Sequence, residues 1–243
     1  MRRKICFSLG AAMVAGLISS GLTRASIIGQ PQVEIAVNGG SFVSLTNQSG
    51  TSGQFQNSGG SAGPGLSWQT ISASATNGSE ANLQLTISNL TESSSTGPAT
   101  FEIQVTDTGF TFTGATTNYL ETSGVLDTTS TTGNDLVSME SGADGGNSPY
   151  TYTASVSPSN SPISASNSTN TQSYTFDATQ TNVSLTSPYS LSTEFIANIG
   201  AGDIFGTLGG STIVTTTPVP EPATLALLAA GGLGILIRRR KSA

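Results

Sequence analysis

The chain has 243 residues, of which only 9% are charged, and it contains no histidine and a single cysteine. All eight Lys and Arg residues lie at the two ends, so residues 26–217 hold thirteen carboxylates, no cation and a formal charge of about −13. This composition excludes nucleophilic sites activated by His or Lys, Cys-His pairs, and zinc sites built from imidazole or thiolate in that central part. It also disfavours nucleic-acid binding, because the phosphate backbone is repelled.

Residues 1–25 have the layout of a secretory signal peptide. A basic start precedes an apolar stretch over residues 5–22, and small residues follow it. We predict cleavage between Ala25 and Ser26, with cleavage after Gly21 as an alternative and an uncleaved membrane anchor as the other interpretation. The exported protein would then contain no cysteine, so no disulfide would stabilise it.

Residues 26–217 are predicted to form one β-domain. Of these 192 residues, 66 are Ser or Thr and only 39 are Leu, Ile, Val or Phe, which is close to the composition of disordered chains. The alternation of apolar and polar residues is nevertheless typical of half-buried strands. We predict an all-β fold, an antiparallel β-sandwich or jelly roll. The alternating runs are 33–37, 83–87, 101–105, 150–156 and 189–199.

Three stretches rich in Gly, Ser and Asn interrupt this pattern. They cover residues 47–65, 127–147 and 157–172, and their composition predicts long loops. No part of the body shows an apolar stripe of helical period.

Asp107-Thr108-Gly109 matches the Asp-Thr-Gly core of aspartic proteases. Such an enzyme needs two of these loops, because two carboxylates share one proton. The body has one, and Phe110 stands where a small residue is preferred. We therefore interpret the segment as a turn between the runs 101–105 and 110–112.

Oxygen ligands are concentrated in one Gly-rich stretch that contains Asp135, Glu140, Asp144 and Asn147. An extracellular calcium ion is the one cofactor that such a set could hold, although the spacing of an EF-hand is absent. The alternative is a set of solvated carboxylates, and we predict no metal site.

Three aromatic residues suggest a second kind of site. Trp68, Tyr150 and Tyr152 could form a platform on which a sugar stacks, whereas aromatic residues on alternating strands more often pack in the core. A glycosidase would in addition need two carboxylates about 5 to 9 Å apart.

The C-terminal segment, residues 218–243, combines three features in order. Pro220, Glu221 and Pro222 are followed by an uncharged, mostly apolar stretch over residues 223–237 and by a basic tail over residues 238–241. Fifteen helical residues span about 22 Å, less than the hydrocarbon thickness of about 30 Å. We predict a short transmembrane helix whose stop is Arg238, Arg239 and Arg240, with the C-terminus in the cytoplasm.

This tail resembles the PEP-CTERM sorting signal of bacterial proteins, and the resemblance is confined to the last 26 residues. Pro220, Glu221 and Pro222 match the motif, residues 223–237 the helix, and Arg238–Arg240 the basic stop. The resemblance implies transient anchoring in the membrane, cleavage near the motif by an exosortase, and release to the cell surface or extracellular matrix, often in species that make exopolysaccharide.

For the mature body the sequence leaves two interpretations. The first is a non-enzymatic surface or matrix protein with a structural or adhesive role, exopolysaccharide being a candidate partner. The alternative is an extracellular glycan-binding module or a carboxylate-based glycosidase. We expect no catalytic residues and no resident cofactor.

Overall fold

The computed structural model describes residues 29–218, apart from 50, 64, 79, 94–96, 112–114 and 134. The described chain forms thirteen β-strands and contains no helix. In chain order they are β1 (Gln32–Val37), β2 (Val43–Ser44), β3 (Gln54–Ala62), β4 (Leu66–Asn77), β5 (Ala81–Glu92), β6 (Ala99–Phe110), β7 (Ala115–Thr129), β8 (Leu136–Asp144), β9 (Ala154–Val156), β10 (Ile163–Ser164), β11 (Gln172–Val183), β12 (Tyr189–Ile199) and β13 (Ile204–Pro218).

The strands form two antiparallel sheets, which confirms the predicted all-β class. The first sheet has the order β10-β8-β12-β6-β1-β2, with β9 paired to β8, and the second has the order β11-β7-β13-β5-β4-β3. Aromatic rings of the two sheets pack against each other. The ring centroids of Phe176 on β11 and Phe195 on β12 lie 5.9 Å apart, and those of Trp68 on β4 and Phe101 on β6 lie 6.3 Å apart. The two sheets therefore pack face to face around one hydrophobic core.

The period-two runs form strands because alternate side chains reach this core. Leu83, Leu85 and Ile87 on β5 are fully buried, and the runs 33–37, 101–105 and 189–199 become β1, part of β6 and β12. The run 150–156 is a strand only over Ala154–Val156, so that prediction is wrong for its first half.

Two of the three predicted loops are largely wrong. The stretch 47–65 contains β3, and 127–147 contains β8 and the end of β7. Small residues are tolerated in β3 because it is the last strand of its sheet and bonds to β4 on one side only. The stretch 157–172 is mostly irregular, as predicted, and includes the two-residue strand β10 and the first residue of β11.

β13 occupies a central position in the second sheet. It pairs with β5 on one side and with β7 on the other, and its last residue is Pro218. The preceding turn at Gly200-Ala201-Gly202 brings the chain from β12 in the first sheet to β13 in the second. The strand that leads into the C-terminal segment is thus held on both edges up to Val214, and its last four residues are held by β7 alone.

Hydroxyl groups extend across the core between the sheets. Thr212 Oγ1 lies 2.6 Å from Thr193 Oγ1 and 2.7 Å from Ser141 Oγ, and Ser141 Oγ donates to Thr122 Oγ1 at 2.7 Å. All four residues are buried. We call them the buried hydroxyl network, and it satisfies polar groups that would be costly to bury alone.

Candidate functional sites

The turn predicted at Asp107-Thr108-Gly109 is wrong, because these residues lie inside β6. Leu191 of β12 pairs with Asp107 and Tyr189 pairs with Phe110, so β6 carries one extra residue there. Gly109 has a φ of +86°, a conformation that favours glycine. The segment is therefore a β-bulge. Its Asp and Gly bend strand β6 at a point where the sequence predicted that the strand would end.

The bulge buries the Asp107 carboxyl group. The residue is 2% exposed, its Oδ1 accepts a hydrogen bond from the Thr108 backbone N–H at 2.7 Å, and its Oδ2 has no hydrogen-bond partner among the described residues. Burial raises the pKa of Asp107 to about 6 although the Thr108 N–H opposes the shift. This enclosed carboxyl group lacks the open, paired arrangement of an aspartic protease.

The four residues considered as calcium ligands do not come together in a loop. Asp135 precedes β8, Glu140 lies within it and Asp144 ends it, so an extended strand separates the two aspartates. Asp144 is buried and accepts a hydrogen bond from the Ser148 backbone N–H at 2.9 Å. Within the described ranges, no group of three or more acidic or thiol side chains is placed to hold a metal ion.

Asp135 instead pairs with Asp203, which lies just before β13. The Asp203 carboxylate accepts hydrogen bonds from the Thr131 N–H at 2.6 Å and from the hydroxyls of Thr131 and Thr132 at 2.7 and 2.6 Å. The pKa of Asp203 is lowered, because these hydrogen bonds outweigh the opposing effect of burial. The pKa of Asp135 is raised by burial and, in addition, by the nearby charge of Asp203.

Asp135 is held at the same junction, because its Oδ1 accepts a hydrogen bond from the Gly200 backbone N–H at 2.7 Å. Both residues are almost completely buried. The pair consequently fastens the β7–β8 and β12–β13 connections together and is closed to a substrate. Sequence analysis missed it because 68 positions separate the two residues and no local pattern links them.

The predicted aromatic platform does not form. Trp68 is 5% exposed and belongs to the core, where its Nε1–H donates to Asn57 Oδ1 at 3.1 Å. Tyr152 covers the outer face of the first sheet at Gly142, where an added Cβ would lie 2.2 Å from its ring. The core interpretation was correct for Trp68, and the two tyrosines lie in the connection between β8 and β9, away from Trp68 on β4.

Acidic side chains line up on that outer face. Glu34, Gln104, Glu194 and Glu140 are in register on the adjacent strands β1, β6, β12 and β8, and we call this row the acidic ladder. Burial, and then the charges of Glu140 and Glu102, raise the pKa of Glu194. Burial and the charges of Glu194 and Glu140 raise the pKa of Tyr152, so its phenol lies close to both carboxylates.

A groove opens where the edges of the two sheets meet. Its volume is about 580 Å³, and it lies between β1–β2 and β3–β4 with Trp68 in its wall. The lining combines apolar side chains with the amides of Gln48 and Asn57, and none of its described residues is charged. Its size is that of pockets for small molecules, and its lining suits an uncharged ligand.

The residues of the two terminal signals lie outside the described residues. This holds for the predicted cleavage site at Ala25 and Ser26, for the motif Pro220-Glu221-Pro222, and for the helix and basic stop that follow it. Within the described part of the chain, no helix is long and apolar enough to cross a membrane.

Comparison with known proteins finds one family. Residues 218–241 match the model of the PEP-CTERM protein-sorting motif. No curated protein matches the chain. Among solved structures, Arthrobacter globiformis T6 isomalto-dextranase complexed with panose is similar at 10% identity and a TM-score of 0.24, over 77% of this chain and 36% of that one. The chain thus spans about a third of that enzyme's length, and a TM-score this low establishes no shared fold.

The family match begins at Pro218, where β13 ends. A sorting signal therefore follows directly on a central strand of the second sheet. The chain carries the C-terminal signal of an exported protein that is anchored transiently in the membrane and processed by an exosortase.

Proposed function

We propose that this bacterial protein is exported with the help of a cleaved signal peptide and is released by an exosortase at the cell surface or into the extracellular matrix. There the two-sheet domain has a structural or adhesive role and catalyses no reaction. The observation that carries the proposal is the sorting motif at residues 218–241. The absence of His, Lys and Arg from residues 26–217 supports the non-enzymatic part, because the usual activated nucleophiles need them.

The position of β13 supports release after folding. Because β13 pairs with β7 as far as Pro218, a cut upstream of Pro218 would remove part of a central strand. A cut at Pro220-Glu221-Pro222 leaves the strand whole. Proline is disfavoured in a central strand and in a helix interior, so from its sequence we expect the motif to be a segment that a membrane protease can bind in extended form.

The test is replacement of Pro220, Glu221 and Pro222 by alanine in the native host. The apolar stretch and the arginines are unchanged, so insertion should persist while cleavage stops, and the protein should stay in the membrane with its tail attached. Pro218→Ala is the matched control, because it removes a proline and leaves the motif intact, and it should be released normally.

Mass spectrometry of the membrane and extracellular fractions measures, for both variants, where the protein is found and whether its tail is still attached. Wild-type protein found only in the membrane, with Arg238 to Ala243 still attached, would show that the tail is a simple anchor. Release of the triple-alanine variant at the wild-type rate would show that cleavage does not depend on the motif.

A glycosidase is the second candidate, and the acidic ladder is the observation that favours it. Glu194 and Glu140 are directly opposite on neighbouring strands, where Cβ atoms lie about 4.5 to 5.5 Å apart. Two glutamate side chains at this spacing can reach the carboxyl separation of a retaining glycosidase, about 5 to 5.5 Å, or of an inverting one, about 6.5 to 9.5 Å. The raised pKa of Glu194 suits a general acid. Reducing sugar released from a polysaccharide by the wild type, and lost in both Glu194→Gln and Glu140→Gln, would establish this candidate; equal release by all three would reject it.

A further inference from the structure

A continuous trough crosses the outer face of the second sheet, at right angles to its strands. Three adjoining cavities of about 260, 540 and 270 Å³ form it. The first two share Gln84 and Thr86, and the second and third share Ser123, Ala178 and Ser211. We call this feature the transverse trough. It touches all six strands, and six strands spaced about 4.8 Å apart give it a length of about 24 Å.

The floor of the transverse trough consists of two rows of small, mostly polar residues in register across the sheet. One row is Gln56, Ser72, Thr86, Gly209, Val125 and Thr175. The neighbouring row is Gln54, Ser74, Gln84, Ser211 and Ser123. The trough is deep at its centre because Gly209 has no side chain, and a Cβ there would lie 3.2 Å from the Leu85 carbonyl oxygen.

The polar groups of this floor are available to a ligand. Within the described part of the chain, the side chains of Ser72, Ser74, Gln84 and Thr86 make no hydrogen bond. Ser123 Oγ and Ser211 Oγ lie 3.2 Å apart and share one hydrogen bond, so the accepting hydroxyl keeps its own O–H as a donor and both hydroxyls keep acceptor capacity. Rows of hydroxyls and amides therefore face outward along most of the trough.

The charge and the surface chemistry of the transverse trough indicate which class of extended polymer it can bind. The nearest ionisable side chains are carboxylates, Asp177 in the central cavity and Glu121 at one end, and residues 26–217 have no cation to attract an anionic chain. The two aromatic neighbours, Phe55 and Phe176, are buried and offer no ring for stacking. A polypeptide would be recognised at a strand edge or by apolar pockets, whereas this is a polar sheet face.

We infer that the transverse trough binds an extended, uncharged polysaccharide through hydrogen bonds to its hydroxyl groups. The site lies on the sheet opposite the acidic ladder and is separate from the groove beside Trp68. Both ends of the trough open at the margins of the sheet, so it takes an internal segment of a long chain. The inference rests on the proposed surface role, since a matrix polymer is the ligand such a location supplies.

The test compares Ser211→Arg, which fills the centre of the transverse trough, with Ser138→Arg, which places the same side chain on the outer face of the first sheet. Ser138 lies on β8 beside the acidic ladder. The probe is affinity electrophoresis of the protein purified from its host, in gels with a neutral galactomannan or with anionic alginate. Circular dichroism checks that each variant is folded, and Ser123→Arg replaces Ser211→Arg if that variant is not.

We expect retardation of the wild type by galactomannan and not by alginate. Ser211→Arg should weaken this binding by about tenfold or more, whereas Ser138→Arg should change it by less than about twofold. Absence of galactomannan binding, equal binding by Ser211→Arg and the wild type, or loss confined to Ser138→Arg would each overturn the inference. Because processing is scored separately by the mass of the tail, failure of binding is distinguishable from failure of sorting.

Discussion

Replacing Asp107 by asparagine should stabilise the protein at neutral pH, because a buried carboxylate is costly. The pKa of Asp107 is about 6 in the fold against 3.8 for the ordinary side chain. A carboxyl group with a raised pKa contributes its full stability below pH 3.8 and loses it as the pH rises through 6. The difference of about 2.2 between these two pKa values corresponds to a loss of about 3 kcal/mol in the free energy of unfolding at pH 7.5.

The asparagine side chain of this variant cannot ionise, so the difference in free energy of unfolding between variant and wild type should grow with pH. It should be about 2.5 kcal/mol larger at pH 7.5 than at pH 4. An amide N–H₂ left without a partner adds an offset, but this offset is the same at both pH values and cancels in the comparison. For a domain of this size the neutral-pH gain corresponds to a rise in Tm of about 5 to 10 °C.

Urea unfolding of the wild type and of Asp107→Asn at pH 4, 5, 6 and 7.5 measures the effect. Thr108→Ser is the matched control, because it perturbs the same bulge and leaves both the carboxyl group and its backbone donor in place. Its effect should not depend on pH. A pH-independent difference for Asp107→Asn, or a variant less stable at pH 7.5 than at pH 4 relative to the wild type, would refute the reasoning.

Two further substitutions test other buried polar groups. Thr212→Val removes the centre of the buried hydroxyl network and should cost about 1 to 3 kcal/mol in urea unfolding, whereas Thr207→Val, on the outer face of the same strand, should change stability by less than about 0.5 kcal/mol. Asp203→Asn weakens the hydrogen bonds that lower the pKa of Asp203, so it should cost about 1 to 3 kcal/mol at pH 7. Since stability from a lowered pKa is lost as pH falls, that cost should shrink towards pH 3; a cost independent of pH would contradict the lowered pKa of Asp203.

The class of fold and the sorting signal could both be predicted from the amino-acid sequence. Alternation of apolar and polar residues, as in Leu83, Leu85 and Ile87, requires only that one face of a strand be buried, and this is a local property. The motif at Pro220-Glu221-Pro222 with its apolar stretch is also local, so it was recognisable without coordinates and is confirmed by the family match. The distribution of charge was likewise complete in the sequence.

The contacts between distant segments could not be predicted from the sequence and required the folded structure. In a turn, the Asp107 carboxyl group would be exposed to solvent. Because β6 carries one extra residue opposite β12, the same sequence forms a buried β-bulge. Glycine-rich residues 54–62 predict a loop when read alone, and they form a strand because β4 offers a partner. The Asp135–Asp203 pair, the acidic ladder and the transverse trough each depend on strand order and register, which arise from contacts between residues far apart in the chain and leave no period in the sequence.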